Sequence, residues 1–145
     1  MSFWNNKCVA VTGGKGFLGY HLAKKLKSKK CKDLLLVDHK DYDLIDNSQV
    51  KKMYYDLKPD IVIHLAAVVG GIGANKSAKG EFFYKNIKMG TLLFEYSRIN
   101  GIDKLVALAA GCGYPKQLQN ALKESDFWDG LPDANSIGYS MAKKM

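Results

Sequence analysis

Residues 9–19 read Val9-Ala10-Val11-Thr12-Gly13-Gly14-Lys15-Gly16-Phe17-Leu18-Gly19. The apolar run from Lys7 to Thr12 closes on glycine, as a short buried strand does. Gly13, Gly16 and Gly19 follow at three-residue spacing, just where Phe17, Leu18, Leu22, Ala23 and Leu26 begin a helical repeat. A strand therefore passes straight into a helix through glycine. Glycine permits positive φ in the turn and lets backbone approach a ligand, while the first helical turn offers unpaired N–H groups to an anion. This combination suits a pyrophosphate. A glycine triplet alone is shared with ordinary turns, but here a second apolar run, Leu34 to Val37, ends in Asp38. An acid about 20 residues past the motif is placed to receive a ribose hydroxyl.

Composition narrows the classes. At 145 residues, 47% hydrophobic and 25% charged, the chain suits a single globular domain with one core. The weakly polar run Ile61 to Ala74 is shorter than the roughly 20 residues of a membrane span, so no membrane helix is expected. The opening Met-Ser-Phe-Trp-Asn-Asn-Lys has no apolar export core, which leads to an expected cytoplasmic location. Cys8, Cys31 and Cys112 form no C-x-x-C pair, and His21, His39 and His64 share no ligand spacing with them, so neither a disulfide framework nor a metal site is expected. The net charge of +8 includes a cluster of Lys24, Lys25, Lys27, Lys29, Lys30 and Lys32. These residues flank a helix C-terminus, where cations complement the dipole. Arg98 is the single arginine, and arginine is the usual reader of base edges, so nucleic acid is not an expected partner.

Further along, a helix is predicted over Gly16 to Lys30 and a strand over Asp33 to Asp38. Asn47 or Ser48 is the expected cap of a helix with Val50, Met53, Tyr54 and Leu57 inside. Ile61 to Ala67 reads as a continuous buried strand and Val68 to Asn75 as a glycine-rich loop. Glu81 to Asn100 reads as a helix burying Phe83, Ile87, Leu92, Leu93 and Tyr96, ended by Gly101. Lys104 to Ala110 is the fourth predicted strand. From Gly111 to Ile137 periodicity fails, and Ser136 to Met145 is helical again. Alternating strands and helices specify an α/β, doubly wound parallel sheet. The expected strand order is 2-1-3-4, because Asp38 must meet the adenosine end of a dinucleotide while Ala66, Ala110 and Tyr139 meet the nicotinamide end, so that strands 2 and 3 flank strand 1. The chain stops inside its last helical pattern, and an N-terminal fragment is the expectation.

Tyr139 and Lys143 are spaced i, i+4 on that last helix, hence on one face. A cationic lysine beside a phenol would lower the phenol's pKa and suit proton exchange during hydride chemistry at a carbonyl.

At this point the chain resembles the extended short-chain dehydrogenase/reductase superfamily and, within it, the GDP-fucose synthase family. The resemblance is carried by T-G-G-K-G-F-L-G (12–19), H-L-A-A (64–67), V-G-G-I-G-A-N (69–75), F-x-Y-x-N (82–86), C-G-Y-P-K (112–116) and Y-S-M-A-K (139–143). It implies a Rossmann-type domain over 1–145 that lacks the substrate domain. It also implies NADPH-dependent 4-reduction of GDP-4-keto-6-deoxymannose after 3,5-epimerisation, and a homodimer for the full-length protein. Tyr139 matches the proton donor, Lys143 the residue that tunes it and binds the nicotinamide ribose, and Cys112 the epimerisation acid/base. A small buried filler is the alternative for Cys112. Gly13, Lys15, Gly16, Phe17, Leu18, Gly19, Asp38, Lys40, Leu65, Ala66, Ala67 and Lys143 are the implied cofactor contacts. Asp38 suits NAD, whereas Lys15 and Lys40 suit a 2′-phosphate; the resemblance favours NADP. Asp46 is either an adenine contact or a surface acid flanking a helix. Ala110 departs from the pattern, since the family has a serine there. A binding module that holds NAD(P) without turnover is therefore the alternative reading.

Overall fold

A computed structural model describes residues 2–118 and 121–145; Gln119 and Asn120, inside the irregular stretch expected over 111–137, lie outside the described residues. The elements are β1 (Cys8–Thr12), α1 (Phe17–Ser28), β2 (Asp33–Val37), α2 (Asn47–Leu57), β3 (Ile61–His64), α3 (Ile72–Ser77), α4 (Lys79–Asn100), β4 (Lys104–Ala107) and α5 (Ile137–Lys144). All strands are parallel, in the expected order β2-β1-β3-β4. Val9 sits between Leu34 of β2 and Ile61 of β3, so the glycine turn leaves the sheet from its central region.

The chain divides into two compact units. The first comprises the residues up to Ala67 together with Met89–Leu108 and holds the whole sheet. β3 is buried along its length and β1 nearly so, as in a parallel sheet covered on both faces. Val9, Val11, Leu26, Ile61 and Ile63 form a core cluster under Trp4, Leu22 and Leu36. Elsewhere in this unit Tyr54 of α2 is buried and its hydroxyl bonds the Leu93 carbonyl (2.9 Å) and Ser97 Oγ (2.7 Å), tying α2 to α4. Gly101, at φ 62°, ends α4 with Gly101 N–H on the Arg98 carbonyl and Ile102 N–H on that of Ser97. That pair of bonds is a Schellman cap.

The second unit comprises Val68–Lys88 and Ala109–Met145. It holds α3, the first half of α4, two 3-10 turns (Gly111–Gly113 and Glu124–Trp128) and α5. Side-chain amides organise its glycine-rich segment. Asn86 accepts the Val68 N–H (2.9 Å) and donates to the Val68 and Phe82 carbonyls (2.8 and 2.7 Å). Asn75 donates to the carbonyls of Gly70 and Gly71 (2.7 and 3.2 Å). Gly138 at the start of α5 lies so close to the Lys79 carbonyl that an added Cβ would overlap it.

Five local expectations are corrected. β3 stops at His64 rather than Ala67, and β4 at Ala107 rather than Ala110, although Leu65 N–H and Leu108 N–H still bond the neighbouring carbonyls of Thr12 and His64. Asp46, not Asn47 or Ser48, caps α2, its carboxylate receiving the N–H of Ser48 (2.7 Å) and Gln49 (3.2 Å). The expected loop 68–75 turns helical from Ile72. Finally, α4 buries Phe82, Asn86, Met89, Leu93 and Ser97, with Phe83, Ile87, Leu92 and Tyr96 only partly covered. Two polar residues occupy that buried register because each has a hydrogen-bond partner, which hides the stripe from an apolar count.

Candidate functional site

In the first unit, the strand-to-helix turn uses its glycines for different reasons. Gly13 has φ 67°, and a Cβ there would sit 2.8 Å from the Ala66 nitrogen, so the β1 and β3 ends interlock only with glycine at this point. At Gly19 a Cβ would strike the carbonyls of Gly13 and Gly14, which keeps α1 tight on its own turn. Gly16 is different: its φ is −77°, and only the Gly13 carbonyl, 3.3 Å away, lies near an added Cβ. The space beside Gly16 is therefore left open toward solvent rather than filled by this chain. The first turn of α1 has no side-chain cap and no acid. Its N–H groups are thus available to an anion, beside a place where a side chain would obstruct one. A pyrophosphate fits such a turn.

Phe17 and Leu18 begin α1 with exposed side chains. Lys15 stands at the tip of the turn and reaches Asp38, just past β2, with Nζ 3.2 Å from Oδ2; Asp41 is 3.7 Å away. The Lys40 N–H and the Lys15 ammonium hold the Asp38 carboxyl below its ordinary range. Asp38, Asp41, Lys15, the Lys40 N–H and the glycine turn are thereby gathered at the ends of β1 and β2. Leu65, Ala66 and Ala67 follow β3 as non-helical chain, partly buried. Beneath them, Thr12 Oγ1 meets His64 Nδ1 at 2.7 Å, both side chains buried, and Ala66 N–H approaches the same hydroxyl at 3.4 Å. No sequence expectation covers this pair, whose signal is a polar residue closing each of two apolar strands that pair in register.

In the second unit, the 3-10 turn Gly111–Gly113 packs against α5, which brings exposed Cys112 toward Tyr139. Ala110 precedes the turn in extended conformation and accepts the Gly113 N–H through its carbonyl (2.9 Å). Burial, and then the neighbouring Cys112, push the Tyr139 phenol above its ordinary pKa. The i, i+4 spacing predicts the opposite direction, through Lys143, and that expectation is corrected here. No hydrogen bond joins Tyr139 to Lys143 among the described residues, and burial pushes the lysine down. Sharing a helix face does not bring the two polar tips together, so desolvation dominates both groups. Lys116, four residues after Cys112, is paired with Asp133 at 2.9 Å. The buried Asn75 Oδ1 has no partner among the described residues. Those residues also contain no cluster of metal-ligating side chains.

Residues 9–145 match the NAD dependent epimerase/dehydratase family. The chain belongs to that family. Within this epimerase/dehydratase family it is similar to a GDP-L-fucose synthase of Sinorhizobium fredii, 32% identical over 99% of the chain and 45% of the relative. It is also similar to a GDP-L-colitose synthase of Yersinia pseudotuberculosis, 31% identical over 93% and 44% of the two chains. Among solved structures, a GDP-L-fucose synthetase from Naegleria fowleri bound to NADP superposes with a TM-score of 0.89 at 26% identity, over all of this chain and 43% of that one. A GDP-D-glycero-L-gluco-heptose synthase from Campylobacter jejuni, solved in the presence of NADPH, gives 0.89 at 27% identity, over 96% and 41%. The chain thus spans less than half the length of these epimerase/dehydratase relatives.

Proposed function

We propose that this chain is the dinucleotide-binding part of a GDP-linked keto-sugar epimerase/reductase, acting in the cytoplasm on GDP-4-keto-6-deoxymannose with NADP(H). Its full-length form would be a homodimer. The observation that carries the reading is the packing of the Cys112 turn on α5 beside Tyr139, within a chain whose glycine turn leaves open space at Gly16. A thiol and a phenol side by side supply one proton-transfer group for epimerisation and one for carbonyl reduction.

The division of roles follows from the residues. The α1 N–H groups and the open side of Gly16 hold the pyrophosphate, with Gly13, Gly19, Phe17 and Leu18 shaping the turn. At the adenosine end, Lys15 and Lys40 receive the 2′-phosphate and keep Asp38 from repelling it. Leu65, Ala66 and Ala67 line the path beyond β3. Bound NADPH supplies a hydride to the keto carbon. Tyr139 gives its proton to the oxygen that gains charge, and the burial that raises its pKa makes that transfer harder than from a solvated phenol. Cys112 is the base that removes the proton α to the keto group, and inversion is completed by a second acid that protonates the opposite face. Lys143, short of hydration in its half-buried position, donates to the nicotinamide ribose.

Titration with NADPH and with NADH, followed by cofactor fluorescence, tests the cradle: Gly16→Val should abolish binding, and Lys15→Ala should weaken NADPH more than NADH. Deuterium uptake from D2O into GDP-4-keto-6-deoxymannose, lost in Cys112→Ala, tests the thiol. Ala110 favours a second reading, a module that holds NADP(H) without turnover, because alanine offers no hydroxyl to the keto oxygen. One such donor is worth roughly 10²–10³ in rate. Tight NADPH binding with neither deuterium uptake nor NADPH consumption would select that second reading.

A further inference from the structure

Lys144, the residue after the Y-x-x-x-K pair, is buried although it is a lysine at the end of a helix. Its ammonium donates to the Gly130 carbonyl at 2.8 Å and stands over the rings of Trp128 and Phe127, 5.1 and 5.4 Å from their centroids. Phe127 in turn packs edge-on against Tyr114, with centroids 4.9 Å apart. Its ring lies where a Cβ on Gly113 would be, 2.9 Å from that position. Gly113 adjoins Cys112, so a single aromatic ring connects the end of α5 to the backbone that carries the thiol. Burying an ammonium costs free energy that an apolar side chain would not incur. What the ammonium adds is direction, because it must face two rings and one carbonyl together.

We infer that Lys144 is a positioning residue, which acts through Phe127 and Gly113 to fix the Cys112 thiol against Tyr139. The inference rests on the proposed pairing of that thiol and phenol, and its test separates the two. Alkylation of the intact chain by iodoacetamide, followed from pH 6 to 10 with peptide mass mapping, reports Cys112 apart from Cys8 and Cys31. In the parent chain Tyr139→Phe should change the rate of Cys112 alkylation several-fold, since the polar group beside the thiol is lost. The same substitution should change it little in Lys144→Met, which keeps the apolar stem, or in Phe127→Leu, which removes the ring, and fully in Lys144→Arg, which keeps the cation. Equal changes in all four backgrounds would overturn the positioning role and leave the thiol–phenol pair standing. No change in the parent would overturn the pair, and the positioning role with it.

Discussion

The two compact units solve the problem of holding a site in different ways. In the first, regular backbone does the holding: parallel ladders bury β1 and β3, and the glycine turn is locked because backbone meets backbone at Gly13 and Gly19. In the second, no strand is present among the described residues, and side chains bridge irregular segments. Asn86 pins Val68, Asn75 pins Gly70 and Gly71, and Lys144 and Phe127 pin the turn at Gly113. A ladder spreads its stability over many equivalent bonds, whereas a pinned loop concentrates it in a few amides and rings. Single substitutions should therefore act more sharply in the second unit, and hydrogen exchange read by mass spectrometry resolves the two separately.

The largest effect is expected from Gly138→Val, which forces α5 off the Lys79 carbonyl. A loss of about 4–5 kcal/mol in urea unfolding, with exchange rising first over 68–88 and 109–145, is the expected outcome. A uniform rise across both units would erase the distinction. Asn86→Ala comes next. It leaves the Val68 N–H and carbonyl without their side-chain partner and should cost about 3 kcal/mol. Exchange at Val68 to Gly71 should rise while β1 to β3 stay protected.

Tyr54→Phe tests the first unit. Its hydroxyl bonds to Leu93 and Ser97 are lost in a well-packed setting, so about 1 kcal/mol is expected, with no local opening of α2. The smallest effect concerns Lys143. Burial places its folded pKa below the unfolded one, so the unfolded chain binds more protons in the window between the two. Stability should rise with pH across that window, just below lysine's ordinary value of about 10.4. Lys143→Met should flatten the rise and make the chain slightly more stable at neutral pH. A fall in stability for Lys143→Met would show that the ammonium is compensated in the folded state.

The same contrast explains what was legible in the sequence. Strand order, the glycine turn and the position of Asp38 follow from periodicity and spacing, which record regular backbone directly. The buried stripe of α4 did not, because Asn86 and Ser97 sit in it, and the apolar residues Phe83, Ile87, Leu92 and Tyr96 drew the reading to the next register. The sequence leaves Asp46 as either an adenine contact or a surface acid flanking a helix, and its role as the α2 cap appears only once the chain direction at that turn is known. For Tyr139 the residue spacing was legible but the direction of its pKa was not, since desolvation depends on what covers a group rather than on what lies four residues away. The Lys144 contacts gave no sequence signal, because a lysine closing a helix reads as a solvated end.

Gly138 carries a lesson for anyone scanning variants of this chain. It immediately precedes Tyr139, and in a saturation library screened for activity nearly every exchange at the two neighbouring positions would score as inactive. The resemblance would be superficial. Under the proposed chemistry Tyr139 would fail because a proton has no donor, whereas Gly138 would fail because two backbones have no room, and only the second class of failure should be recovered by a change that shifts the segment around Lys79. Second-site suppressors, sought separately for each position, would therefore sort the chemistry of this helix from its geometry.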